Sequence, residues 1–292
     1  MRAAVIFGLD SSKKDLRPFS ENSNTEWITG VPASSTDADA ILIFGGDGTI
    51  HRHLPRLAQL QLPVLIVPCG SGNDFARALQ LSNKQKSLSA WTGFCSGAGS
   101  VHCIDLGVIQ TISDAHASTS HYFCCVGGVG LDGAVARRAN RLPRWLRGHG
   151  GYLLSVTPAL FSYEAVPIRL TVASPENPEC ILSRSQTPLV LAAFANTPAY
   201  GGGMRIAPHA QLDDGKLDVC MVHDIGKLKL FSLFPTVYFG RHLGIRGVEY
   251  MRTPRLRVET ESPLNVYADG EYVCQTPVEV SAVRNGLRVI QS

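Results

Sequence analysis

The sequence has no apolar run long enough to cross a membrane as a helix, which takes about 18 consecutive apolar residues. Its longest run, Leu189 to Ala195 behind Pro188, is the length of a strand. Eight cysteines contain no CxxC pair, so neither a zinc ribbon nor a thioredoxin-like redox motif is encoded, and a cysteine metal site is not expected. Cys124 and Cys125 are adjacent inside an apolar run, where thiols behave as small hydrophobes. Charge of one sign is scarce too. A net charge of +3 does not point to nucleic acid, although it fits a protein that visits anionic surfaces. The P-loop pattern GxxxxGK[ST] is absent, as are tandem repeats and low-complexity segments. Met1 to Phe7 reads as a first strand, too short for the core of a signal peptide, so a cytoplasmic chain is expected.

What is present is an ordinary globular composition, with 45% hydrophobic and 17% charged residues over 292 positions, enough for two modest domains. Over the first hundred residues short apolar runs alternate with glycine turns and helical stretches. Ala40–Phe44 leads into Gly45-Gly46-Asp47-Gly48-Thr49. Pro63–Pro68 leads into Gly70-Ser71-Gly72-Asn73-Asp74 and an amphipathic start at Phe75–Leu79. Strand, turn and helix in this order predict a parallel α/β domain with ligands at the carboxyl ends of the strands. From about residue 106 strand patterns dominate: Ile168–Ala173, Leu189–Ala195, Leu217–Val222, Leu256–Glu259, Leu264–Ala268, Val278–Val283 and Leu287–Ile290. These predict a mainly antiparallel β-sandwich domain with two helices, Asp132–Asn140 and Leu228–Phe239. Pro235 should kink or end the second helix. Residues 174–187 read as a long hairpin loop. The expected domains are therefore 1–105 and 106–292.

Gly45, Gly46, Asp47, Gly48 and Thr49 suit a backbone nest for phosphate, with Asp47 placed to hold magnesium through water; a plain turn with an Asp cap is the bland alternative. Gly70, Ser71, Gly72, Asn73 and Asp74 form a second such loop. There Asn73 or Asp74 can cap the next helix and the Ser71 hydroxyl can reach a phosphate or ribose oxygen. Arg77, one turn on, is either a phosphate contact or a solvated helix residue. Asp213-Asp214-Gly215-Lys216 offers a perch for Mg²⁺ or Ca²⁺, or simply an Asx turn. Asp269-Gly270 after Val266–Ala268 reads as a tight hairpin turn that fixes one carboxylate. Gly128-Val129-Gly130-Leu131-Asp132-Gly133 mimics a dinucleotide fingerprint, but lacks an acidic residue about 20 positions on. Five arginines between Arg137 and Arg147, interleaved with Leu142, Trp145 and Leu146, suit either an anionic membrane surface or a solvated face. His51-Arg52-His53 does not place two histidines on one helix face for a metal.

Taken together, these motifs resemble the diacylglycerol kinase catalytic-domain family, which includes sphingosine and ceramide kinases and is distantly related to NAD kinases. GGDGT stands at Gly45–Thr49 and the GTxNDFAR-like motif at Gly70–Arg77. Ile104-Asp105-Leu106-Gly107, Gly128–Asp132, Asn196 with Gly201–Gly203, Pro208-His209-Ala210, Asp213–Asp218 and Asp269-Gly270-Glu271 follow in the family's order. The resemblance implies an ATP-dependent, Mg²⁺-using lipid kinase of phospholipid metabolism, with Asp269 as general base. It implies a structural magnesium on Asp214 and the carbonyls of Gln211 and Lys216, and Asp105 and Asp132 on the lipid side of a cleft. The expected partners are a lipid substrate and an anionic membrane surface met peripherally, with no nucleic acid; an edge strand in the β domain could support a homodimer.

Where family members carry Asn-Pro after the first strand, this chain has Phe7-Gly8-Leu9-Asp10. His51-Arg52 replaces the usual Asn-Glu, Pro55 interrupts the expected helix, and Cys69 precedes Gly70. These departures bear on nucleotide affinity, and they motivate the rival reading of a catalytically silent lipid- or partner-binding protein. An NAD kinase reading is disfavoured by Gly70–Arg77 and Asp269–Glu271.

Overall fold

The computed structural model describes residues 1–21, 24–112, 119–131, 158–159, 161–173 and 181–291. The expected helix at Asp132–Asn140, the candidate Asp132 and the arginine segment Arg137–Arg147 lie outside these residues. The chain forms two compact units, Met1–Asp105 with Arg284–Ser292, and Leu106–Val283. The last nine residues, expected in the second domain, thus belong to the first.

In the first unit, β1 (Arg2–Phe7), β2 (Glu26–Thr29), β3 (Ala40–Gly45), β4 (Pro63–Pro68) and the end of β15 (Val278–Gln291) form a parallel sheet in the order β2-β1-β3-β4-β15. β3 and β4 are buried along their whole length, which is why each reads as an unbroken apolar run rather than an alternating one. The helices are α1 (Lys13–Ser20), α2 (Asp47–Leu60), α3 (Asp74–Ala78) and α4 (Lys84–Cys95). α1 starts at a capping box of Ser12 and Asp15. α2 buries Ile50, Leu54, Leu57 and Leu60 at helical spacing. That packed face carries the helix through Pro55, which was expected to interrupt it. On α4, the indole N–H of Trp91 donates to the Phe19 carbonyl at 3.1 Å, so the buried ring satisfies its polar atom.

In the second unit the pairings are antiparallel. The strands are β6 (Ser120–Phe123), β7 (Val126–Gly130), β8 (Val166–Ala173), β9 (Ile181–Ala195), β10 (Leu217–His223), β11 (Val248–Thr253), β12 (Arg255–Thr260), β13 (Asn265–Ala268) and β14 (Glu271–Gln275). They are joined by the end of β5 (Ser100–Thr111) and the start of β15. β9 is long because it serves two leaves. Its first half pairs with β8, and its second half lies between β7 and β10. Ile168, Leu170, Phe194, Val219, Val258, Val266 and Val280 from both leaves share one buried cluster. Ile181–Thr187 are strand, so the expected hairpin loop is shorter than 174–187. α5 (Lys227–Tyr238) runs past Pro235, held by buried Leu230, Leu233 and Val237, rather than ending there.

Candidate active site

The two glycine loops lie side by side because β3 and β4 are neighbours, with Gly45 opposite Pro68. Gly46 is the N-cap of α2, which puts Asp47, Gly48 and Thr49 in its first turn, and its carbonyl accepts the Thr49 N–H at 2.9 Å. A Cβ at Gly70 would lie 2.5 Å from the Gly46 Cα, and one at Gly46 would lie 2.9 Å from the Gly70 Cα. The two loops need glycine because they touch each other. A Cβ at Gly45 would meet Thr49 at 2.6 Å, and one at Gly72 would meet the Asp47 carboxylate at 2.8 Å.

Asp47 binds the loops together. Its two carboxylate oxygens accept the backbone N–H groups of Asp74 and Phe75, each at 3.0 Å, which caps α3 from a distance of 27 residues in sequence. Asp47 thus clamps the two loops to each other. Asn73, in a left-handed conformation at φ 56°, caps no helix with its side chain. Instead its amide closes on Gly70, accepting the Gly70 N–H at 2.9 Å and donating to the Gly70 carbonyl at 2.6 Å. Arg77 donates to the Gly72 carbonyl and pairs with the buried Asp74 carboxylate. It braces the Gly70 loop. Ser71 is exposed at the loop's tip.

One basic group at this loop had no motif to announce it. Lys84 pairs with Asp15 at 2.6 Å and hydrogen-bonds Cys69, the residue before Gly70. Its ammonium is held above its ordinary pKa by the hydrogen bond to Asp15, and Asp15 is held low by the same contact. Asp105 lies in β5. It is buried and accepts the backbone N–H of Asn285 at 2.9 Å, supporting a left-handed residue (φ 53°) within β15. That bond supports the scaffold of the first unit.

In the second unit Asp269 and Gly270 are the two turn residues between β13 and β14, with Ala268 opposite Glu271. Both have positive φ, 51° and 85°, as a tight hairpin turn of this hand requires. The expected tight turn is present, and it fixes one carboxylate. The Asp269 carboxylate accepts the Cys125 N–H at 2.8 Å and the Cys124 N–H at 3.0 Å, and its own N–H donates to the Val126 carbonyl at 2.9 Å. The other side of the Cys124-Cys125 segment is held by Asn196 and Thr197 at the end of β9. The Asn196 amide donates to the Cys124 carbonyl at 3.2 Å, and its backbone N–H donates to the Cys125 carbonyl at 2.8 Å. The two thiols and the carboxylate lie within 4.8 Å of one another. The segment that holds Asp269 had registered in sequence only as an apolar run.

Gly128, the first glycine of the apparent dinucleotide fingerprint, lies in β7 between two antiparallel partners, Ala193 and Tyr267. A dinucleotide loop must follow a parallel strand and open a helix, so that fingerprint is rejected.

At the Asp214 turn, one carboxylate oxygen accepts the Lys216 N–H at 3.0 Å and the other pairs with the Arg252 guanidinium. Arg252 also lies 3.4 Å from Asp218, a buried carboxyl pushed above its usual range by burial and only partly restored by the Tyr250 hydroxyl, which donates at 2.5 Å. A guanidinium already neutralises the carboxylates that a cation would need. The residues at Asp214, Gln211 and Lys216 therefore do not fit a directly bound magnesium ion as they stand.

Residues 15–109 match the diacylglycerol kinase catalytic domain, and residues 126–291 match the YegS C-terminal NAD kinase beta sandwich-like domain. A diacylglycerol kinase of Mycobacterium tuberculosis (strain ATCC 25618 / H37Rv) is 35% identical over 265 residues, covering 89% of this chain and 79% of the relative. A diacylglycerol kinase of Bacillus subtilis (strain 168) is 24% identical over 260 residues, 88% of this chain and 79% of the relative. Among solved structures, a diacylglycerol kinase from Bacillus anthracis str. Sterne superposes with a TM-score of 0.68 at 18% identity, covering 100% of this chain and 97% of that one. An NAD kinase from Archaeoglobus fulgidus in complex with ATP shares the fold with a TM-score of 0.55 at 13% identity, over 100% and 94% of the two chains.

Proposed function

Because this chain belongs to the diacylglycerol kinase family, we propose that it transfers the γ-phosphate of ATP to a lipid hydroxyl, with Asp269 accepting the hydroxyl's proton. The observation that carries the reading is the fixed carboxylate. Two backbone N–H donors hold Asp269 in one orientation, as a positioned general base requires. Phosphoryl transfer needs positioning and charge stabilisation more than covalent help, so a rigid acceptor matters. In the first unit the N-terminal turn of α2 and the Gly70 loop offer backbone N–H groups to the phosphates, with the Lys84 ammonium beside Cys69. Asp47, Asn73 and Arg77 keep that loop in shape. Magnesium enters this reading as part of the nucleotide substrate, where it offsets phosphate charge. A diacylglycerol-like lipid is the proposed acceptor.

Asp269→Asn keeps the size of the side chain and one acceptor for the cysteine backbone while removing the carboxylate that takes the proton. We expect turnover to fall by about 10²-fold or more with ATP binding unchanged. Transfer of labelled γ-phosphate from Mg·ATP to a panel of lipids in mixed micelles is the assay, and undiminished kcat in the variant would remove Asp269 from the role. A second reading, a silent lipid or partner binder, draws on the internal engagement of Asp47 and Arg77. Calorimetry with Mg·ATP decides between the two, since that reading requires no binding.

A further inference from the structure

Helix α5 is apolar on two opposite faces. Leu230, Leu233 and Val237 are buried within their own unit. On the other side Leu228 is 79% exposed, Phe231 46% and Phe239, at the helix end, 70%. At 100° per residue Leu228, Phe231, Pro235 and Phe239 fall within an arc of about 80°, so they form one stripe. Phe161, 46% exposed, packs its ring against Phe231 at 5.9 Å and widens it. Seven large hydrophobic side chains are exposed among the described residues, and four of them are in this patch. Scattered exposure needs no explanation, but a contiguous apolar stripe marks an interaction surface.

The charges beside the stripe are all of one sign along the helix. Lys227 and Lys229 flank Leu228, Arg241 follows the helix end, and α5 itself contains no acidic residue. Asp224, the nearest acid before the helix, is turned to the backbone and accepts the Gly226 N–H at 3.1 Å. The Lys227 ammonium donates to the Phe161 carbonyl at 2.7 Å, which ties the outlying phenyl ring to the helix. No helix among the described residues is long and apolar enough to cross a membrane.

We propose that α5 lies flat on an anionic phospholipid leaflet. Leu228, Phe231, Phe239 and Phe161 enter the boundary between headgroups and acyl chains, while Lys227, Lys229 and Arg241 meet lipid phosphates. The inference builds on the lipid-kinase reading, because a water-soluble catalyst must reach a lipid hydroxyl at a surface. The basic flanks select an anionic leaflet over a second copy of the chain, whose identical stripe would bring the same lysines against each other.

The test is co-sedimentation of the full chain with phosphatidylglycerol–phosphatidylcholine vesicles, against phosphatidylcholine alone, at low and high salt. Wild type should prefer the anionic vesicles. Leu228→Glu/Phe231→Glu should lower its partition by about tenfold or more, and Lys227→Ala/Lys229→Ala should remove most of the salt dependence. Because the glutamate pair can perturb folding, Leu228→Trp provides a direct reading on folded protein: its emission should shift to the blue when vesicles are added, beyond any change in wild type. Turnover of the glutamate variant on a short-chain, monomeric diacylglycerol should match wild type, with loss confined to vesicle-borne substrate. Vesicle binding without any lipid phosphorylation would sustain the docking face and sink the kinase reading. Equal partition of the glutamate variant, an emission from Leu228→Trp that vesicles leave unshifted, or a wild-type dimer that the glutamates dissociate would overturn the docking face.

Discussion

A carboxylate held by two backbone N–H groups has little freedom to turn, and in Asp269 that restraint comes from residues about 145 positions earlier in the chain. The left-handed backbone at φ 51° is one that aspartate tolerates better than most residues, so the turn accommodates the carboxylate that the proposed chemistry needs. The motif made Asp269 legible in the sequence. Its holders were not, because Cys124 and Cys125 contribute backbone groups, which any residue type could supply. The glycine loops show the same division. Gly46 and Gly70 stood out as necessary, but local pattern suggested closeness to phosphate and could not show closeness to each other. Gly70→Ala forces its Cβ to 2.5 Å from the Gly46 Cα, a backbone contact that cannot yield by a rotamer change. We expect a loss of about 1–3 kcal/mol in urea unfolding, together with weaker Mg·ATP binding. Gly244→Ala, whose Cβ would meet nothing within 4 Å, should change stability by less than about 0.5 kcal/mol. Equal midpoints for the two variants would remove the contact as the reason for the glycine.

At the scale of elements, the strands were legible where burial writes a regular pattern. β10 was placed to within one residue and β12 to within one at each end, since both alternate or run apolar between turn residues. Among the helices, α5 was placed to within one residue at each end, but the ends expected at Pro235 and at Pro55 of α2 do not occur. Propensity is a local quantity, and at α2 and α5 it was outweighed by buried faces built from Leu54 and Leu57, and from Leu233 and Val237. β5 and β11 were missed because their partly exposed residues give no clean alternation. The short 3₁₀ turn after α5 carries another feature that sequence could not reveal. His242 is fully buried, with its Nε2 bonded to the Ile206 carbonyl at 3.0 Å and no partner for Nδ1 among the described residues. Burial holds its pKa below the ordinary 6.5, against the raising effect of that carbonyl. The unfolded chain therefore takes up a proton that the folded chain refuses. Stability from this group is complete above about pH 6.5 and is lost as pH falls toward the lower folded value. Denaturation at about pH 7.5 and about pH 5.5 should show a decrease on the order of 1 kcal/mol attributable to His242. His242→Gln should show a flatter pH dependence, and an unchanged slope would mean that another group carries the effect.

For the whole molecule, the division into a parallel and an antiparallel unit was readable from where continuous apolar runs give way to half-buried strands. The return of Arg284–Ser292 to the first unit was not, because Val278–Val283 and Leu287–Ile290 look like two strands of one domain. They are one strand, and the left-handed Asn285 between them is held by Asp105. The first unit therefore draws on both ends of the sequence, and a ligand bound there should stabilise residues near the carboxyl terminus as well. Saturation at about 100 times Kd adds about 2.7 kcal/mol to the folded state by mass action. Hydrogen exchange with Mg·ATP should thus show added protection in α2, in the Gly70 loop and in the end of β15, which pairs with β4 through Arg288 and Val289. Asp269→Asn should show the same protection, because its carboxylate belongs to the other unit. Protection confined to the second unit would place the nucleotide elsewhere, and none at all would leave the chain a lipid or partner binder without kinase activity.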